Sequence, residues 1–182
     1  MRVIAGKYKR TPINTLQGSD ITRPTKDMVK EAVFSSIQID EDTKFLDLFS
    51  GTGAIGIEAL SRGAKDVVFN DLNKQAYNNI KQNLNKVKED RRLFNLDYQK
   101  CLEKLAGEKF DYIYCDPPYN FKDYEGIFYL VNKFELLNKK GIIIVEVRKD
   151  TDLANSYLGI NMFKEKRYGI NKILYFRRED YD

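Results

Sequence analysis

At 182 residues, 42% hydrophobic and 32% charged, the chain reads as one soluble domain able to bury a full core. Its longest apolar run, Gly141 to Val145, is far too short to span a bilayer, and two cysteines without a CxxC motif indicate neither a disulfide framework nor a zinc site. Histidine is absent, which removes Ser-His-Asp and Cys-His catalysis, and the net charge of +4 is uneven: residues 1–26 hold six basic side chains against Asp20 alone, leaving −1 for the rest.

Residues 1–24 read as a basic arm whose Arg2, Lys7, Lys9, Arg10 and Arg23 precede Lys26, the footprint of a phosphate-backbone binder. The opening Met1-Arg2-Val3-Ile4-Ala5-Gly6-Lys7 lacks the apolar core of a signal peptide, so a reduced, cytoplasmic setting is expected. Residues 25–182 form the body. Thr25 is an expected N-cap for a helix whose Met28, Val29, Ala32, Val33 and Ile37 recur near 3.6 residues. Alternation follows. Phe45 to Leu48 reads as a buried strand, Gly53 to Arg62 as a helix stopped at Gly63, and Val67 to Phe69 as a strand. A helix from Lys74 to Val87, a short strand at Leu93-Phe94 and a helix from Tyr98 to Leu105 come next. Phe110 to Cys115 is a strand, Glu125 to Lys133 a helix, and Gly141 opens the strand Ile142 to Val147. Apolar strands separated by helices predict a parallel sheet covered on both faces. The tail departs from that rhythm, since Met162 to Tyr168 and Lys172 to Arg177 flank a turn and read as a hairpin.

Three motifs carry chemistry. Gly51, Gly53 and Gly56 form a G-x-G-x-x-G loop between strand and helix, with Asp71 twenty residues after Gly51, where a carboxylate can accept a ribose hydroxyl. Alone this fits a nicotinamide cofactor as well as S-adenosylmethionine. Asp47, inside the strand before the loop, is a poor neighbour for a pyrophosphate and a good one for an ammonium group. Asp97, with Tyr98 beside it, is placed to accept from an adenine amine; helix capping is the bland alternative for Asp71 and Asp97. The third motif is Asp116-Pro117-Pro118-Tyr119. Two prolines fix two φ angles and remove two donors, leaving a stiff corner of acceptors beside an aromatic ring, which suits a planar, amine-bearing base. Cys115, inside an apolar strand, reads as core rather than nucleophile.

With these motifs in this order, and with Ile4 to Lys9 and Thr22 to Phe34 ahead of them, the chain resembles the class I S-adenosylmethionine-dependent methyltransferases, most closely the bacterial 16S rRNA guanine-N2 methyltransferases of the RsmD type. One departure is visible: family members often carry a glycine in the basic run where this chain has Lys9-Arg10-Thr11-Pro12. The resemblance implies a Rossmann-like α/β fold with a seven-stranded, mostly parallel sheet, ordered 3-2-1-4-5-7-6 with the last strand antiparallel. It makes residues 1–24 an arm or hairpin extension and 25–182 the methyltransferase domain. It implies cofactor contacts from Asp47, Ser50, Gly51, Gly53, Asp71, Leu72, Asp97 and Tyr98, catalysis by Asp116, Pro117, Pro118 and Tyr119, and RNA contacts from Lys7, Lys9, Arg10, Arg23 and Lys26. The expected cofactor is S-adenosylmethionine, leaving as S-adenosylhomocysteine, without a metal. The expected partner is ribosomal RNA in a small-subunit particle; no membrane is expected, and monomer is the default. An adenine-N6 methyltransferase, an RNA-binding assembly factor on the same fold and a nicotinamide-dependent oxidoreductase are the competing readings.

Overall fold

The computed structural model describes residues 1–16 and 23–179, the side chains of 23–25 excepted. Thirteen elements follow one another: α1 (Arg23–Ser36), β1 (Lys44–Asp47), α2 (Ala54–Ser61), β2 (Asp66–Asn70), α3 (Lys74–Lys86), β3 (Leu93–Phe94), α4 (Tyr98–Lys104), β4 (Phe110–Cys115), α5 (Tyr124–Lys133), β5 (Leu137–Arg148), β6 (Ser156–Tyr157), β7 (Ile160–Tyr168) and β8 (Asn171–Arg178). One sheet is ordered β3-β2-β1-β4-β5-β8-β7-β6. Its first five strands are parallel, and β8 enters antiparallel between β5 and β7.

This is the order implied by the resemblance, with β8 as the antiparallel strand. The sheet has eight strands rather than seven because Ser156 and Tyr157 add a two-residue edge strand on β7. So short a pairing leaves no periodic signal in sequence. Two further boundaries differ. Helix α1 starts at Arg23, so Thr25 lies in its first turn instead of capping it, and β5 runs back to Leu137 through an irregularity opposite Phe110–Tyr112.

Successive strand residues point to opposite faces, and here both faces are apolar. Phe45, Val67, Phe69, Tyr114 and Ile144 pack with α1, α2 and α3, whereas Leu46, Val68, Ile113, Val145 and Leu174 pack with α4 and α5. Each fully buried aliphatic side chain of this kind contributes about 1.5–3 kcal/mol.

Residues 1–13 are not a free tail. An antiparallel bridge joins Arg2 to Pro12, with Val3 N donating to Thr11 O (3.0 Å) and Arg10 N to Val3 O (2.9 Å). The fold holds this hairpin through a buried carboxylate. Glu58 of α2, fully buried, accepts from Ile4 N (2.8 Å), Ala5 N (3.1 Å) and Arg62 Nε (2.9 Å) and pairs with buried Lys30 (3.4 Å). Lys30 in turn donates to Arg2 O (2.6 Å). Gly6 lies so close to Ser61 that a Cβ there would sit 1.9 Å from its main-chain oxygen. Arg10 occupies the left-handed region at φ 74°, a conformation glycine adopts freely. The basic run Lys9-Arg10-Thr11-Pro12 therefore closes its turn with an arginine under strain.

Candidate active site

The carboxyl ends of β1, β2, β3 and β4 lie side by side, which gathers residues distant in sequence along one edge of the sheet. At the first end the chain turns through Gly51 (φ 59°) and Gly53 (φ 82°) into α2. The Ser50 hydroxyl locks the turn, donating to Asp47 O (2.7 Å) and accepting from Asn70 N (3.1 Å). Asp71 holds its other side, accepting from Gly51 N (2.9 Å) and Asn73 N (2.9 Å). Asp71 is thus a clamp on the glycine loop, while Asn73 caps α3. Gly56 serves packing, since a Cβ there would meet the Phe69 ring at 2.3 Å.

Asp47 is the chemically unusual member. It is buried, its Oδ2 accepts from Gly56 N (3.1 Å), and its Oδ1 has no hydrogen-bond partner among the described residues. Burial pushes its carboxyl up to about 7, the Gly56 N–H opposing and the nearby Asp116 and Asp71 charges adding to the rise. A buried acceptor without a donor is costly, by roughly 1–3 kcal/mol, until something supplies one. Beside it, nothing lies within 4 Å of where a Gly51 Cβ would stand. An orphaned carboxylate oxygen next to an open glycine turn fits the ammonium end of S-adenosylmethionine, and Asp47, Ser50, Gly51 and Gly53 are the residues that would hold it.

Asp97 accepts from Lys100 N (2.8 Å) and caps α4, so the capping reading holds for one of its oxygens. Tyr98 belongs to an aromatic cluster. Its ring stands 6.0 Å from Phe49 and 5.3 Å from Phe121, and Phe121 stands 5.1 Å from Tyr124. The Tyr98 hydroxyl hydrogen-bonds the Asp123 carboxylate, and burial together with that bond pushes its pKa up to about 12. This cluster ties the glycine loop, the β3 exit and the loop after β4 into one wall, with exposed Leu72 at the end of β2.

Asp116-Pro117-Pro118-Tyr119 leaves the sheet at the end of β4. Pro117 is buried, and Phe121 N donates to Pro118 O (2.9 Å), closing a turn. The Pro117 carbonyl takes no partner among the described residues. Asp116 is open to solvent on one side and surrounded by protein on the others, which raises its carboxyl; a hydrogen bond with Glu146 and the charge of Lys26 act in the opposite sense. Tyr119 is 78% exposed, with the Arg148 guanidinium over its ring at 4.9 Å. Asp47 and Asp116, at adjacent strand ends, lie within electrostatic reach of each other.

Residues 1–177 match the family described as Conserved hypothetical protein 95. Over 175 residues the chain is 33% identical to ribosomal RNA small subunit methyltransferase D of Haemophilus influenzae, covering 93% of this chain and 90% of that protein. The chain belongs to this family. Among solved structures, a candidate methylase of Haemophilus influenzae is similar with a TM-score of 0.76 at 30% identity over 97% of each chain. A candidate methyltransferase of Escherichia coli is similar with a TM-score of 0.79 at 25% identity over 98% of each. The fold is accordingly that of the class I methyltransferases, as the family resemblance implied.

Within this family fold the basic residues divide. Lys7 pairs with Glu89 (3.4 Å), while Lys9 and Arg10 are exposed at the turn of the hairpin. Lys26 faces Asp116 and Glu146 inside the site. Arg23 opens α1, and its side chain lies outside the described residues. Cys115 is fully buried and its thiol is pushed well up by burial, as expected of core. Sequence reasoning missed Glu146, Arg148 and Asn83. Glu146 gave a signal, a charge inside the apolar run Ile142 to Val147, the same signal that singled out Asp47. Asn83 gave none. It is fully buried, accepts from Asn14 N (2.8 Å) and donates to Asn14 O (3.0 Å) and Thr52 O (2.8 Å), so it joins the N-terminal segment to the glycine loop.

Proposed function

We propose that this protein transfers a methyl group from S-adenosylmethionine to the exocyclic N2 amine of a guanine in 16S rRNA, within a small-subunit particle in the cytoplasm, acting as a monomer without a metal. The observation that carries the reading is the Asp116–Pro117 corner, a rigid pair of acceptors beside an exposed ring and next to the orphaned Asp47 carboxylate. The name of the Haemophilus influenzae relative supports ribosomal RNA as the substrate class.

When bound, S-adenosylmethionine supplies a methyl group on a strongly electrophilic sulfonium. The guanine amine is a weak nucleophile because its lone pair is delocalised into the ring, so this chain's task is alignment. Asp116 and the Pro117 carbonyl accept the two N2 hydrogens, which turns the lone pair towards the methyl donor. Orientation of this kind supplies roughly 7–11 kcal/mol in favourable cases. Tyr119 stacks on the extruded base by the face opposite Arg148, contributing about 1–3 kcal/mol. That offsets a good part of the few kcal/mol of unstacking. The alkylated amine is strongly acidic, and Asp116 takes its proton. Lys7, Lys9, Arg10 and Arg23 are the proposed phosphate contacts, carried on the arm proposed over residues 1–24, while Lys26 acts on the carboxyls of the site.

Radiolabelled methyl transfer to unmethylated small subunits, free rRNA and DNA, followed by nucleoside analysis, tests this. N2-methylguanosine from the subunit is the expected product, and N6-methyladenosine would overturn the reading. In the same assay Asp116→Ala should abolish transfer while leaving S-adenosylhomocysteine affinity within several-fold; turnover within about tenfold of wild type would remove Asp116 from the chemistry.

A further inference from the structure

The proposed reaction gives Glu146 no role, yet Glu146 is a second carboxyl at the reacting corner. The register pairs Tyr114 with Ile144 and Cys115 with Val145, so the next position along β4 and β5 brings Asp116 opposite Glu146. The two carboxyls lie close enough to share a hydrogen bond once one of them holds a proton. Two carboxylates in contact cannot both stay ionised, so one of them carries a proton. The surroundings decide which. Glu146 is half-buried in β5, flanked by the buried Val145 and Val147, and on the other side of its strand its register partner in β8 is the apolar Ile173. From β4 the buried Tyr114 side chain and from α1 the charge of Lys26 act on it in the opposite sense, towards the ionised form. Asp116 has the open side. Burial and the neighbouring Asp116 charge hold the Glu146 carboxyl well above its ordinary range, whereas the rise that burial gives Asp116 is opposed by its interaction with Glu146; the charge of Lys26 lowers both.

We propose that Glu146 is a positioning residue that keeps its proton at neutral pH and donates it to Asp116, so that one Asp116 oxygen is fixed and the other is presented to the substrate amine. The assignment deepens the methyl-transfer reading and rests on it for its substrate. Three consequences follow. The donated O–H holds the Asp116 carboxylate in one orientation, which a lone aspartate on an open corner lacks. It occupies one acceptor site, leaving a single direction for the amine hydrogen. When the alkylated amine releases its proton, the N–H bond breaks, Asp116 forms the new O–H bond, and the pair becomes two neutral carboxyls that return one proton to solvent. No group beyond the pair is needed for that balance.

The test compares wild type with Glu146→Gln and Glu146→Ala. Infrared spectra of the substrate-free protein at pH 8, where Asp47 is largely ionised, should show a protonated-carboxyl carbonyl band that Glu146→Gln lacks. In single-turnover transfer to unmethylated small subunits, Glu146→Ala should lose about tenfold or more in rate with S-adenosylhomocysteine affinity held within about twofold. Glu146→Gln, which still has an N–H to donate, should recover most of that loss. The wild-type rate should fall at alkaline pH as Glu146 loses its proton, and the Glu146→Gln rate should not. Superimposable alkaline limbs, or no change in the carbonyl band, would overturn the assignment. If wild type transfers no methyl group to small subunits, the substrate reading fails while the infrared comparison still decides the pair.

Discussion

Asp47 offers the sharpest check on how the cofactor end works, because one carboxyl should set stability and affinity in opposite directions. Its carboxyl is raised from 3.8 to about 7, chiefly by burial. At about 1.36 kcal/mol per pKa unit, the ionised form costs the fold roughly 4 kcal/mol. The sign follows from proton counting. Between the two values the folded state binds the proton that the unfolded state has lost, so this contribution is complete below about pH 4 and disappears as pH rises through about 7. The proposed contact with the cofactor needs the opposite state, a carboxylate to meet an ammonium. The ionised fraction rises from about 0.1 at pH 6 to about 0.9 at pH 8, which makes the apparent affinity about tenfold tighter over that interval. Calorimetric titration with S-adenosylhomocysteine across this range should show that tightening, together with uptake of close to one proton by the buffer near pH 6. Asp47→Asn should bind more weakly at pH 8 with little pH dependence, and should unfold at higher temperature than wild type there by up to about 4 kcal/mol of stability. A flat wild-type affinity, or an Asp47→Asn variant that binds as tightly as wild type at pH 8, would refute the role of this carboxylate.

Three other substitutions probe independent parts of the argument. Asp71→Ala removes the acceptor that Gly51 N and Asn73 N share, so S-adenosylhomocysteine affinity should fall about tenfold to a hundredfold, from roughly 1.5–3 kcal/mol for hydrogen bonds to a charged group; unchanged affinity by calorimetry would remove Asp71 from the site. Glu58→Ala leaves Lys30 buried without its partner, and denaturant unfolding should show a loss of about 3–5 kcal/mol, with exchange protection of the Ile4 and Ala5 amides lost first. A loss under about 1 kcal/mol would mean that the hairpin is held elsewhere. Arg10→Gly relieves a left-handed arginine, so stability should hold or rise by up to about 1 kcal/mol, while the log–log salt slope of RNA binding should flatten by about 0.7–0.9. An unaltered slope would return Arg10 to a purely structural place.

What could be read in the sequence was what local spacing carries. The glycine turn, the proline corner and the alternation of apolar strands with amphipathic helices each lie within a few residues, so the elements and the residues at the strand ends followed, while the strand order came with the family resemblance. Resemblance supplied the antiparallel position of β8, which no local pattern encodes. What could not be read depends on partners far along the chain. Asn83 looks like one more polar residue on a polar-faced helix until the fold sets it against Asn14 and Thr52, 69 and 31 residues away. Glu58 reads as an ordinary helix charge and is instead the buried post to which residues 4 and 5 attach, across 54 and 53 positions. These long-range contacts also change what the basic arm is. A tail bound only by charge would deliver RNA without affecting the cofactor loop. Here one buried carboxamide bonds both Asn14 and the Thr52 carbonyl, so ordering either segment favours the geometry that the other requires, and linkage makes that assistance mutual. The segment proposed to meet phosphate and the loop proposed to hold the methyl donor are thus joined through Asn83, a connection visible only once the chain is folded.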